Sequence, residues 1–316
     1  MKNFIKYNSL EKGVKKLIHG IINVYKEKGY TSHDVVAKLR GILKQKKIGH
    51  TGTLDPDAEG VLPVCLGNGT KLSDMLTDKN KTYEAVLLLG QTTDTQDVTG
   101  RILSTNEVKA DKKQIEEAIL SFEGEYDQLP PMYSALKVSG KKLYELAREG
   151  KEVERKTRKV QIYSIRILEF DEENHEVRIR VECSKGTYIR TLCHDIGAKL
   201  QCGGCMKSLL RTKVGQFSIT DSLKLSEISE KVAEGKLLDF CISVDGMFPD
   251  YPKVIVKEEY CKYIYNGNSF YTKHITETKN ISNQAQVRVY DWHNHFVGIY
   301  EFNQKDQIYK PIKMFL

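Results

Sequence analysis

The segment GHTGTLDPDAEGVLP, residues 49–63, gathers His50, Asp55, Asp57 and Glu59 among glycines and prolines rather than on a regular element. Carboxylates and a histidine at this density can hold a metal, cradle a phosphate, exchange protons or attack carbon. A phosphate loop would end in Gly-Lys followed by Ser or Thr. A calcium loop needs oxygen ligands at alternate positions closing on a glutamate, and His50 has no histidine one helical turn later to share a zinc ion. None of these patterns is present. What remains is a loop whose glycines permit close backbone approach to another molecule while His50 and Asp55 are held at defined places. Pro56 restricts Asp55 to extended geometry, so that carboxylate has a preset direction and either caps a turn or reacts.

The elements that must position this loop are legible on either side. GIINVY, residues 20–25, reads as a buried strand, followed by a turn at Gly29 and a helix that starts at Ser32 as N-cap and turns Val35, Val36, Leu39, Ile42 and Leu43 inward. After the loop, KTYEAVLLLG reads as a strand. Residues 111–122 form a second amphipathic helix, with Asp111 as cap and Ile115, Ala118, Ile119 and Phe122 inward. QLPPMYSALKVSG is an irregular loop. KVQIYSIRILEF and EVRIRVEC form a hairpin through DEENHE, the second strand alternating Val177, Ile179, Val181 and Cys183 on one face, and a helix covers 188–200. Hairpins with interspersed helices imply an α+β fold around a mixed, largely antiparallel sheet. From residue 251 the pattern turns to short strands only, QVRVYDW and FVGIYEF around a His-Asn turn, the mark of a small C-terminal β domain. The expected division is a leader over 1–19, a main domain over 20–248 and a β domain over 249–316.

Composition narrows the chemistry. The 316 residues are 40% hydrophobic, enough for one substantial core and a smaller one. The longest apolar run, residues 85–89, is far too short to span a bilayer, and the Lys-rich start has no apolar segment before a cleavage site. The expectation is a cytoplasmic protein with no membrane partner. Its seven cysteines make an odd, scattered set that fits reduced thiols. Cys202 and Cys205 have C-x-x-C spacing without a second ligand pair, so they read as small residues around a glycine turn and no metal is expected. A formal charge of +7 suits a polyanion. The excess is clustered: residues 38–50 carry five Lys or Arg and no acid, and residues 137–160 carry nine basic residues against four acidic ones. Such clusters are the footprint of nucleic-acid backbone binding.

The loop itself resembles the catalytic motif of the TruB family of tRNA pseudouridine synthases, matching G-H-x-G-x-L-D-P-x-A-x-G-x-L-P without a gap. KTYEA, LGQTTDTQDVTG, LPPMYSALKVSGKKLYELAREG and CSKGTYIRTL also resemble family segments, in the family's order, over roughly residues 20–217, and the β-rich tail resembles the PUA domain that often follows that core. The resemblance implies a pseudouridine synthase fold and a reaction that breaks a uridine's N1–C1′ bond, turns the base over and joins C5 to C1′, with no cofactor. It assigns the essential carboxylate to Asp55, leaving open whether Asp55 is a nucleophile or abstracts a sugar proton. Arg190 is implied as its partner, whose guanidinium fork would orient the carboxylate, and Tyr83 as a catalytic residue against the uracil. Tyr188 and Leu209 are implied to line the base pocket, His50 to stack within the RNA loop from which the target base is flipped, and Lys26 with the basic clusters to contact phosphates. The partner implied is the T-arm of tRNA, engaged by a monomer with no obligatory protein partner.

Two departures stand out. The family's Lys-Pro is Lys26-Glu27 here, placing an acid near the expected RNA path, and Leu210 stands where an arginine commonly precedes Arg211. Other readings of the same residues are a non-catalytic RNA chaperone, a phosphate-ester hydrolase using the Gly-rich loop, and a related synthase acting on ribosomal RNA with guide RNAs.

Overall fold

The structure, a computed structural model, describes residues 17–138, 140–277 and 281–316. The expected leader thus lies, through residue 16, outside the described residues. In chain order the main elements are β1 (Gly20–Lys26), α1 (Ser32–Leu43), β2 (Ile48–His50), β3 (Glu59–Leu66), β4 (Lys81–Leu89), α2 (Lys112–Leu120), β5 (Gly124–Gln128), β6 (Arg158–Asp171), β7 (Glu176–Cys183), α3 (Ile189–Lys199), β8 (Gly204–Val214), β9 (Phe217–Ser218), α4 (Leu225–Ala233) and β10 (Cys241–Ile242).

These strands form a ten-stranded sheet in the order β10-β1-β3-β8-β4-β7-β6-β5, with β2 on β3 and β9 on β8. Every pairing is antiparallel except β3 with β8, so the mixed α+β architecture is as expected. Alternation explains the middle of the sheet. Tyr83, Ala85, Leu87 and Leu89 of β4 and Val177, Ile179, Val181 and Cys183 of β7 turn to one face and pack under α2 and α3. The β1–β3 half is buried on both sides. Leu62, Val64 and Leu66 meet α1 and α4, while Val61 and Cys65 share a cluster with Phe248 and with Ile299 and Phe315 from the chain's last segment.

That last segment folds as a second sheet of five strands: β11 (Lys253–Ile255), β12 (Phe270–Tyr271), β13 (Gln286–Tyr290), β14 (Phe296–Asn303) and β15 (Ile308–Met314), in the order β11-β13-β14-β15-β12. It is not made of strands only, because Cys261–Tyr265 forms a helical turn that buries Cys261 and Ile264 against the small core. This segment is too short to show a helical period in sequence. Among the described residues no helix is long and apolar enough to cross a membrane.

Two further expectations change. The N-cap of α1 is Thr31, not Ser32: Thr31 is extended (φ −74°, ψ 158°) and exchanges hydrogen bonds with Asp34 in a capping box. Ser32 is already helical and faces inward. The segment expected to be an irregular loop, QLPPMYSALKVSG, instead ends in a short pairing of Lys137–Val138 with Lys141–Lys142, and a short helix over Leu143–Arg148 follows.

Candidate active site

The loop between β2 and β3 is pinned at both ends and on both sides of its central carboxylate. Thr51 donates through its backbone N–H and its hydroxyl to the Pro63 carbonyl, at 3.2 and 3.1 Å. Ser32 Oγ accepts the Leu54 N–H at 2.9 Å and donates to the Leu54 carbonyl at 3.3 Å, while the Gly29 N–H reaches the Pro56 carbonyl at 2.9 Å. Residues 54 and 56 are therefore fixed, and Asp55 between them keeps a side chain 42% exposed. Gly60, where the loop re-enters the sheet, has φ +107°, and a Cβ there would stand 2.2 Å from the Arg211 carbonyl, so only glycine fits.

Lys26 belongs to this scaffold and not to a phosphate-binding surface. It is fully buried, and its Nζ donates to the carbonyls of Glu27 (3.2 Å), Tyr30 (2.5 Å) and Pro56 (3.0 Å). Burial lowers its pKa to about 8 against the pull of Glu59, Asp55 and Asp57. The expected phosphate contact is corrected: three carbonyls occupy its donors and no surface is left to reach RNA. The departure at Glu27 is partly offset, since Lys224 lies 3.7 Å from its carboxylate.

Arg190 sits in the first turn of α3, 5% exposed. Its Nε lies 3.0 Å from Asp55 Oδ2. Its terminal nitrogens donate to the carbonyls of Thr95 (3.1 Å) and Tyr133 (2.8 Å), and Nη1 stands 3.7 Å from Asp97 Oδ2. The expected two-nitrogen fork is thus replaced by a single contact, because the fork itself holds the segments around residues 95 and 133. Enclosure raises the Asp55 pKa above the ordinary carboxylate value, helped by the negative charges of Asp97 and Asp57 and opposed by Arg190 and Lys26. The upward direction follows from the geometry, since one guanidinium is shared among two carboxylates and two carbonyls. A more basic carboxylate results. Helix α3 can bring Arg190 here because Gly197 lets it touch β8, where a Cβ would meet the Gly204 nitrogen at 2.1 Å.

Tyr83 on β4 is 8% exposed, between Val181 of β7 and Arg211 of β8. Burial raises its phenol pKa, and the adjacent Arg211 guanidinium opposes that rise. Leu209, cross-strand from Ala85, packs on the cluster that holds Leu54, Tyr83 and Ile189. Tyr188 is half-buried at the N-cap of α3, and the charge of Asp55 reaches both Tyr83 and Tyr188. His50 is half-buried at the end of β2, with Nδ1 3.4 Å from the Gly52 N–H, and burial lowers its pKa, favouring a neutral ring. Asp55, Arg190, Tyr83, Tyr188 and Leu209 therefore converge, with His50 at the loop's entry and Lys26 beneath it.

Sequence reading missed three residues. Arg211 is 2% exposed, and its Nε donates to the Val61 carbonyl at 2.7 Å, tying β8 to β3 beneath the site. Asp97 faces Arg190, and Ser32 grips the loop. A cation inside the strand pattern of LLRTKV was the available signal for Arg211, whereas Asp97 was marked only by the resemblance of LGQTTDTQDVTG and Ser32 was read only as a helix cap. The basic residues Lys38, Lys44, Lys46, Lys47, Lys137, Lys141, Lys151, Lys156 and Lys159 are exposed. Among the described residues no three His, Cys, Asp or Glu side chains are grouped to hold a metal, and Cys202 and Cys205 are both buried around Gly203.

Comparison with known proteins adds independent findings. Residues 40–189 match the family model described as TruB family pseudouridylate synthase (N terminal domain), and residues 190–244 match tRNA pseudouridylate synthase B C-terminal domain. The chain is 58% identical to a tRNA pseudouridine synthase B of Lachnoclostridium phytofermentans over 95% of this chain and 100% of that one. It is 48% identical to another protein of that name from Clostridium kluyveri, over 94% and 99%. A chain in a solved Cbf5-Nop10-Gar1 complex superposes with a TM-score of 0.68 at 26% identity, covering 94% of this chain and 85% of that one.

Proposed function

This chain belongs to the TruB family of pseudouridine synthases, isomerases that act on RNA, and from that premise we propose that it converts the T-loop uridine usually numbered 55 in tRNA to pseudouridine, with Asp55 as the essential carboxylate. The observation that carries this reading is the Asp55 side chain, open to a ligand yet tethered 3.0 Å from a buried arginine in the cluster that contains Tyr83.

The residues divide the work as follows. A uridine stacked in the T-loop is out of reach of Asp55, so the base is flipped into the site. Tyr83, Leu209 and Tyr188 offer the aromatic and apolar walls that receive it. The neutral ring of His50 braces the RNA loop where the base has left. Asp55, kept basic by its enclosure, attacks or takes a proton at the nucleoside. Arg190 steadies the carboxylate while the N1–C1′ bond breaks and the C5–C1′ bond forms. The net reaction is an isomerisation, and the C5 hydrogen leaves to solvent.

We divide the chain into a catalytic domain over 20–248 and a PUA-like RNA-binding domain over 249–316, which together take the T-arm as a monomer without an obligatory protein partner, in the cytoplasm. The test uses unmodified tRNA carrying tritium at uridine C5. The protein should release tritium to water, and a transcript with cytidine at the T-loop position should abolish that release. Equal release from both transcripts would refute the assignment of the position, and no release from either would refute the activity.

A further inference from the structure

Arg190 is aimed at Asp55 by the first turn of α3, and that turn has no cap of its own. Tyr188 is the N-cap residue, yet its side chain makes no capping hydrogen bond. Its backbone is held from across the sheet. Gln128, the last residue of edge strand β5 and 1% exposed, accepts the Tyr188 N–H with Oε1 at 2.7 Å and donates from Nε2 to the Tyr188 carbonyl at 2.9 Å. The carboxamide thus pairs with both backbone groups of one residue, as a neighbouring strand would. Two residues earlier on the same face of β5, the Tyr126 hydroxyl bonds the Asp195 carboxylate farther along α3, so this strand grips the helix at two points.

We propose that Gln128 is a positioning residue for the reaction: its carboxamide fixes the backbone of Tyr188, and through it the direction in which Arg190 meets Asp55. Near neutral pH a carboxamide offers a donor and an acceptor side by side without charge, and asparagine is one methylene too short for this span. With Tyr188 held at φ −99° and ψ 110°, its phenol lies within reach of the Asp55 charge and Arg190, two residues on, meets Asp55. Releasing this clamp leaves all catalytic groups present but loosely aimed. An error of about 1 Å at reacting groups costs roughly 100-fold in rate.

The inference rests on the reading of Asp55 above, and its test separates the two. Gln128→Met keeps the volume and removes both bonds. Gln128→Glu keeps the acceptor and, while ionised, loses the donor. On the tritiated tRNA, both variants should turn over about 100-fold more slowly than wild type near neutral pH, with KM within about threefold because the exposed basic residues are untouched. The Glu variant carries a further signature. A protonated carboxyl again pairs a donor with an acceptor, so its kcat relative to wild type at the same pH should rise as pH falls, and that of the Met variant should not. Folded variants with kcat within about threefold of wild type would overturn the proposal, as would loss of kcat in the Glu variant that does not recover at low pH. If neither variant folds, Gln128 is structural only and the proposal is likewise overturned. Failure of the wild type to release tritium would instead remove the activity itself.

Discussion

Two groups of cations in this protein differ in burial and in the partners they meet. Beneath the site, Lys26, Arg190 and Arg211 are at most 5% exposed, and each donates to backbone carbonyls at 2.5 to 3.2 Å. Across residues 137–160, Lys141, Lys151 and Lys159 have side chains 60 to 73% exposed and meet only similarly solvated carboxylates, Glu149 and Glu125. Ion pairs of the second kind contribute little to stability, and their charge stays available to a phosphate. The first kind is costly to bury unless its donors are taken up, and here backbone carbonyls take them up. The contrast teaches that buried cations here set geometry, and on the proposed function it assigns rate to them and RNA affinity to the exposed ones.

The sharpest way to break that division is at the carboxylate the buried cations serve. Asp55→Asn keeps shape and removes the charge; tritium release should fall at least ~1000-fold while tRNA affinity, read by filter binding, stays within a few fold. Next is Arg190→Lys, which keeps the charge but cannot hold Asp55 and the Thr95 and Tyr133 carbonyls together. Its kcat should drop by about 100-fold with little change in KM, and an equal loss in both would move Arg190 into the binding population.

Changing the exposed lysines Lys141, Lys151 and Lys156 together to serine should do the reverse. Saturating rate should stay near wild type, while the log–log dependence of affinity on salt becomes shallower by roughly 0.7 to 0.9 for each phosphate no longer neutralised. The smallest effect concerns stability. The pKa of Lys26 falls from 10.5 to about 8 in the folded protein, so the cost of its buried charge is complete below about pH 8 and is relieved as pH rises toward 10.5. Relative to Lys26→Met, wild type should gain up to ~3 kcal/mol across that window in denaturant melts. A difference that stays flat with pH would show that Lys26 is not held charged in the interior.

Much of the scaffold was legible in sequence because its signals are periodic. The apolar run in KTYEAVLLL marked β4 as a strand, the alternation in EVRIRVEC set the face of β7, and the spacing of Ile115, Ala118 and Ile119 set α2. The pairing of Asp55 with Arg190 came from motif resemblance, since no local pattern places two residues so distant in sequence at 3.0 Å. Lys26 was misread for a physical reason: three converging carbonyls can take up all the donors of a lysine away from water, and sequence shows none of them converging. Ser32 was misplaced by one residue because two hydroxyls stand side by side and only the backbone angles of Thr31 decide which one caps. Gln128 gave no signal, because its partner is the backbone of another residue.

The division of labour between the two populations is tested most directly by one salt titration of the wild type. Affinity for tRNA and the single-turnover rate at saturating protein are measured together from about 50 to about 200 mM salt. Affinity should fall steeply along a straight log–log line while the saturating rate stays level within about twofold. A rate that falls in parallel with affinity would mean that screened, exposed charges also set the chemistry, and would contradict the account.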